Sequence, residues 1–375
     1  MELIVGTYGR QMHLLELENA SFSVLAFRSI EAKNTSCLAL SPDRRYLFAV
    51  SECGGDSGVY SFRVHPSGQR IPLSGGRIER LSEIRGMSPD PCHLIYLPGY
   101  FNQCGDPDNG ALLTADYSGG SVTVFPVRSG RIEAALQVVR FEGHGPVPGR
   151  QTAPHIHQLV PFGNLLLAVD LGADCIRVLR LFDGAVRPLC DGRLDRALRL
   201  ERLFDIPAPA GSGPRHLVFD QDGSHFYVLT ELSNEILVYS MPDYTAAGDR
   251  PVLLQRLPVG DPSFPEQAGG DIQLSPDGRH LYASLRNGGD SLVIAEVQSD
   301  GSLRRIAYQT TGAHVRDFCF LPASAPDGEH LAVFCKNGGC IQFHKRNSAD
   351  GSLSLIREIP FRASDGEPVF GLLLS

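Results

Sequence analysis

No apolar run in this 375-residue chain approaches the roughly 18 residues that a membrane-crossing helix needs, so no helical span is expected. A basic stripe is missing too. The 34 Lys and Arg against 42 Asp and Glu leave a formal charge of −8, which argues against a nucleic-acid surface. The first residues, Met1-Glu2-Leu3-Ile4-Val5-Gly6, carry neither a basic region nor a long apolar stretch, so no signal peptide is expected. The nine cysteines contain no CxxC pair. Most sit in apolar segments (Cys37, Cys175, Cys319, Cys335), where a free Cys behaves as a small buried hydrophobe. A reduced, cytoplasmic protein is the economical reading. Helical periodicity is scarce as well. Only Leu194 to Leu203, with Arg193, Arg196, Arg199 and Arg202, is expected to form one short surface helix.

What the chain does have is a repeat. Ser41-Pro42-Asp43-Arg44-Arg45-Tyr46-Leu47-Phe48-Ala49-Val50 returns as Ser275-Pro276-Asp277-Gly278-Arg279-His280-Leu281-Tyr282-Ala283-Ser284. Variants begin at Asp220-Gln221-Asp222-Gly223 and at Pro326-Asp327-Gly328. Each joins a turn signal to a β-branched and aromatic run, the signature of a hairpin. Charged residues then precede a short Gly, Asn or Asp turn at Glu52, Asp116, Asp170, Glu231, Arg286 and Lys336, at spacings of 64, 54, 61, 55 and 50 residues. Such lengths suit four short strands per unit. Six units are complete. A seventh is split between Gly6-Thr7-Tyr8-Gly9 and the C-terminal Val369-Phe370-Gly371-Leu372-Leu373-Leu374. Joining the ends leaves no exposed sheet edge. The expected fold is all-β, a single seven-bladed β-propeller domain over residues 1–375, closed by its N- and C-terminal strands.

In a propeller the first strand of each blade lines the central channel and the second runs back beside it. The start of one and the end of the other therefore share a rim. The start column reads Ser36, Cys92, His157, Arg215, Gly270, Arg316, and the end column Glu52, Asp116, Asp170, Glu231, Arg286, Lys336. Several of these have plain structural readings. Glu52, Asp116 and Asp170 are of the kind that accept backbone N–H bonds in a following turn, and Arg316 and Lys336 can serve as counter-charges. His155 and His157 are expected on one strand face, but no third ligand stands at metal spacing, so no metal and no cofactor is expected. The mixture at one mouth is harder to account for structurally. His157 titrates near neutrality and can move a proton. Glu231 can orient it or share that role, and Arg215 and Arg286 offer paired donors for an anion or a developing oxyanion. His93, His155, Asp170, Arg316 and Lys336 complete the set as candidate substrate contacts. The Gly- and Pro-rich stretch from Arg140 to Gln151 leads straight into the His pair and is expected to form a rim wall or lid.

At these residues the sequence resembles the lactonase family of seven-bladed propellers, which includes propeller-type 6-phosphogluconolactonases and carboxy-cis,cis-muconate cyclases. The matching segments are Arg150-Gln151 with Pro154-His155-Ile156-His157-Gln158, and Gly211-Ser212-Gly213-Pro214-Arg215-His216. Further matches are Thr230-Glu231-Leu232, Arg286-Asn287, and the stretch from Ala115 to Phe125. The resemblance implies an active site of one His, one Glu and two Arg, falling on His157, Glu231, Arg215 and Arg286. It implies hydrolysis of a small anionic sugar lactone, with 6-phospho-D-glucono-1,5-lactone foremost and a muconate-type lactonising cyclase as the alternative. The sequence departs from the family at Thr230 and Leu285, where Asn is usual, and at Cys335-Lys336-Asn337. The residues by themselves also leave open a non-catalytic propeller that binds a metabolite or a protein.

Overall fold

The structure is a computed structural model that describes residues 1–66, 77–99, 108–188, 194–242, 249–321, 329–361, 364 and 366–374; the side chains of 185–197 fall outside that description. The expected turn at Pro326-Asp327-Gly328 and Arg193 lie outside the described residues. The remainder folds into seven antiparallel sheets. Blades 1 to 6 occupy residues 38–85, 91–140, 156–207, 214–258, 268–310 and 315–360. Blade 7 combines Pro368–Leu373 with Glu2–Thr7, Gln11–Leu17 and Val24–Glu31. There the C-terminal strand pairs with the N-terminal one, Leu3 opposite Leu373 and Ile4 opposite Leu372, which closes the ring.

The repeated turn has a local cause. Ser41 Oγ donates to Asp43 Oδ1 at 2.6 Å and accepts from the Tyr46 amide at 3.0 Å. Ser275, Asp277 and His280 repeat both bonds at the same lengths. The fourth position has positive φ, which Gly278 adopts freely at 71° and Arg44 adopts at 57°. Core packing then follows from strand order. Second strands such as Tyr46–Ser51 and Leu165–Asp170 are buried along their whole length, whereas the outermost strand of blade 4, Val252–Pro258, is exposed at alternate residues. Apolar side chains gather between neighbouring blades. Leu113 and Val124 of blade 2 meet Leu166 and Ala168 of blade 3, and Phe334 and Phe343 of blade 6 meet Leu3 and Val5 of blade 7. First strands of successive blades contact one another around the channel.

One expectation fails. Leu194–Pro207 is a strand, not a surface helix, paired with Cys175–Pro188 so that Leu200 faces Leu181 and Arg199 faces Phe182. Leu198 and Leu200 are buried while Arg199 between them is only partly so. That period of two is a strand's, with Arg199 at an outward position.

Candidate active site

The ladder between the first and second strands slips at the same place in six blades: at Pro91/His93, Ile156/Gln158, Pro214/His216, Gly269/Ile272, Val315/Asp317 and Gly6/Thr7. A β-bulge re-aims the residue it leaves unpaired. The bulged residues include Cys92, His157, Arg215, Gly270 and Arg316, so the start column is set by a recurring backbone irregularity. The register also corrects the second column. Pro214 pairs with Thr230 where Pro91 pairs with Asp116 and Ile156 with Asp170. The counterparts of Glu231 are therefore Tyr117 and Leu171, joined by Tyr8, Glu52, Arg286 and Lys336.

A one-residue shift reverses which face a side chain takes, and Asp116 and Asp170 show it. Asp116 accepts from the hydroxyls of Thr114, Ser121 and Thr123 at 2.6–2.9 Å. Asp170 accepts from the amides of His155, Gly172 and Ala173 and from the Arg177 guanidinium, and is fully buried. Its carboxylate is committed to the turn amides and to Arg177, which leaves no role as a substrate contact, contrary to expectation.

Glu231 is gripped by three arginines. Arg215 Nε and Arg286 Nη2 donate to its Oε2 at 3.0 and 2.8 Å, and Arg150 holds Oε1. Burial alone would raise the Glu231 pKa, but Arg286, Arg215 and Arg150 outweigh it and hold it at about 2. Glu231 is thus a carboxylate of low basicity. Arg215 is spent twice over, because its Nη1 donates to the Gly270 carbonyl. Burial lowers Arg286 to about 10.

His157 is 5% exposed and packs edge-on to Tyr117 and to His216, ring centres 5.6 and 5.1 Å apart. Burial, with Arg215 next in weight, holds its pKa well below 6.5, so the imidazole is neutral. Its Nδ1 has no hydrogen-bond partner among the described residues, and the same holds for Arg286 Nε and His314 Nδ1. Ser36 Oγ, in the start column, is a fourth; buried polar atoms are normally paired, so four unpaired ones at a single mouth mark a place built for something else. His155, one residue before the strand begins at Ile156, stacks on Tyr117 at 4.4 Å, the same ring that His157 meets edge-on. His93 sits one position past its bulge, 6.0 Å from the His216 ring, in a layer where His216 Nδ1 bonds Asp271 at 2.7 Å. Among the described residues no three His, Cys, Asp or Glu are arranged to hold a metal.

Further round the mouth, Tyr8 donates to Glu52 Oε2 at 2.7 Å. Arg316 and Lys336 both lie over the Tyr8 ring, each 5.2 Å from its centre. Arg316 Nη2 is 3.6 Å from Glu52, and Lys336 Nζ is 3.4 Å from the half-exposed Glu367. Five cations (Arg150, Arg215, Arg286, Arg316, Lys336) thus converge with Glu231 and Glu52 on one rim of an acidic chain, a local field that attracts anions. Arg150, Tyr8 and Tyr117 were not among the expected site residues. Arg150 arrives on the Gly- and Pro-rich loop, which Gln151 pins by donating to Asp174 Oδ1 at 2.7 Å and to the Leu171 carbonyl at 2.8 Å.

The closed seven-bladed ring is shared with known proteins. The chain belongs to the lactonase family of seven-bladed β-propellers, whose family model matches residues 2–364. It is 29% identical over 329 residues to a 6-phosphogluconolactonase of Bacillus subtilis, covering 85% of this chain and 84% of that protein. A 6-phosphogluconolactonase of Formosa agariphila is 27% identical over 337 residues, covering 84% of this chain and 83% of that protein. Among solved structures, the periplasmic gluconolactonase of Pseudomonas aeruginosa superposes with a TM-score of 0.76 at 28% identity, covering 99% of this chain and 98% of that one.

Proposed function

We propose that this protein hydrolyses a sugar lactone, 6-phospho-D-glucono-1,5-lactone foremost, at the channel mouth around His157. The observation that carries the reading is a neutral, buried imidazole with a free Nδ1 beside a cluster of guanidiniums. Such an imidazole accepts a proton from water as the water oxygen attacks the lactone carbonyl carbon. Arg286, whose Nε has no partner among the described residues, stabilises the oxyanion that forms. The imidazolium then returns the proton to the ring oxygen as the ester C–O bond breaks, leaving the open-chain acid. Glu231 holds the arginines in place, its carboxylate gripped by three guanidiniums.

Two kinds of support converge. The relatives named above are 6-phosphogluconolactonases, and the solved neighbour is a gluconolactonase. We also take the ring as one domain, because its ends close a single blade. No described helix is long and apolar enough to cross a membrane. We place the protein in the cytoplasm on its seven free cysteines among the described residues. A cationic mouth would also suit a dicarboxylate, so the test is a substrate panel. Faster loss of sugar lactones than of muconates supports hydrolysis, and the reverse order supports the cyclase. If neither reacts while a sugar acid still binds, the propeller is a binding module.

A further inference from the structure

The five cations of the mouth are not equivalent. Arg215 has two of its donor positions committed to Glu231 and Gly270, and Arg286 and Arg150 share the same carboxylate. That group carries its own counter-ion and surrounds the reacting centre. Arg316 and Lys336 form a second group on blade 6. They approach one uncharged ring, Tyr8, and their carboxylate contacts are loose, at 3.6 Å to Glu52 and 3.4 Å to a Glu367 that is itself 51% exposed on its side chain. Glu52 is additionally held by the Tyr8 hydroxyl, so its charge is shared. Bringing a guanidinium and an ammonium to one ring costs repulsion that a bound anion removes. His314, one residue before that blade and bonded through its carbonyl to the Lys336 amide, adds a buried Nδ1 with no partner among the described residues and is kept neutral, at a pKa of about 3, by burial first and then by Arg286, Lys336 and Arg316.

We propose that Arg316, Lys336 and His314 form a phosphomonoester subsite, built against the Tyr8 ring and separate from the Glu231 cluster that acts on the lactone. This assignment rests on the lactonase reading and adds the part of the substrate that is recognised. The arginine offers paired N–H donors to two phosphate oxygens and the lysine a point charge to the third. A neutral His314 whose Nδ1 carries the proton donates a further bond. The consequence is selectivity. The subsite contributes to a phosphorylated lactone and contributes nothing to the same lactone with a free 6-hydroxyl.

The experiment measures kcat/KM for 6-phosphoglucono-1,5-lactone and for glucono-1,5-lactone in the wild type, Lys336→Met and Arg316→Lys, with thermal melts to establish folding. Inorganic phosphate is titrated as a competitive inhibitor of each. Lys336→Met is expected to lower the phosphorylated-to-unphosphorylated ratio by about 10- to 100-fold, the usual worth of a charged hydrogen bond, and to weaken phosphate inhibition in parallel. Arg316→Lys, which keeps the charge and loses the fork, should move both in the same direction by less. A ratio unchanged in folded variants, or a wild type with no preference for the phosphorylated lactone, overturns the subsite and leaves the lactonase reading standing. A wild type that hydrolyses neither lactone overturns both.

Discussion

Replacing Glu231 by Gln removes the one carboxylate that three guanidiniums share, and the structure gives the size of the effect. The carboxyl is depressed from an ordinary value of 4.5 to about 2. At 1.36 kcal/mol per unit, that is on the order of 3 kcal/mol of stability. Because the folded-state pKa is the lower one, this contribution is complete above about pH 4.5 and is lost as the pH falls toward 2. Glu231 is only 6% exposed, so water screens little of it. The variant also leaves Arg215 and Arg286 buried with their charge uncompensated, which pushes the loss toward the upper end of the roughly 3–5 kcal/mol seen when one partner of a buried pair is removed. Urea unfolding of both proteins at several pH values from 3 to 7 reads it out. The difference between them should be about 5 kcal/mol at pH 7 and should shrink as the pH falls below 4.5. A difference that is below about 1 kcal/mol, or that is constant with pH, would refute the arginine grip as the source of the Glu231 shift.

Other outcomes follow from neighbouring residues. Asp170→Asn should destabilise by roughly 3 kcal/mol, because it removes the buried carboxylate of Arg177 and leaves that guanidinium only the 40% exposed Asp205, while KM for the lactone stays near the wild-type value; a large rise in KM would restore Asp170 as a substrate contact. Arg150→Met should cost less than about 1 kcal/mol in urea, since its side chain is 43% exposed. It should nevertheless raise the pH at which Glu231 titrates, which NMR of the carboxyl can follow. With His157 held neutral well below 6.5, kcat/KM should show no acid limb near that value; a limb at 6.5 would mean an imidazole in ordinary solvent.

Much of this architecture is legible in the sequence, because a propeller repeats its turn chemistry. Ser41 and Ser275 cap the same hairpin with the same two bonds, and the split blade is recognisable from Gly6 and Val369 alone. The start-of-strand column is legible for the same reason. What the sequence hides is a matter of register. Asp116 and Asp170 look like Glu231 because each is an acidic residue before a short turn, yet they stand one residue earlier, and only the paired strands reveal that Tyr117 takes the mouth position. Arg150 lies on a connection that no repeat unit covers, and Tyr8 belongs to the broken unit, so neither had neighbours to be aligned with. Leu194 to Leu203 misled through its arginine spacing, where the hairpin with Cys175–Pro188 imposes strand geometry whatever the local period.

The most direct test follows the disappearance of fresh 6-phosphoglucono-1,5-lactone with wild-type protein and with His157→Asn, corrected for spontaneous hydrolysis. The wild type should accelerate the loss, and the variant should fall by about 10²- to 10⁴-fold in kcat while melting at a similar temperature. Equal rates for the two folded proteins would contradict the assignment of His157 as the base.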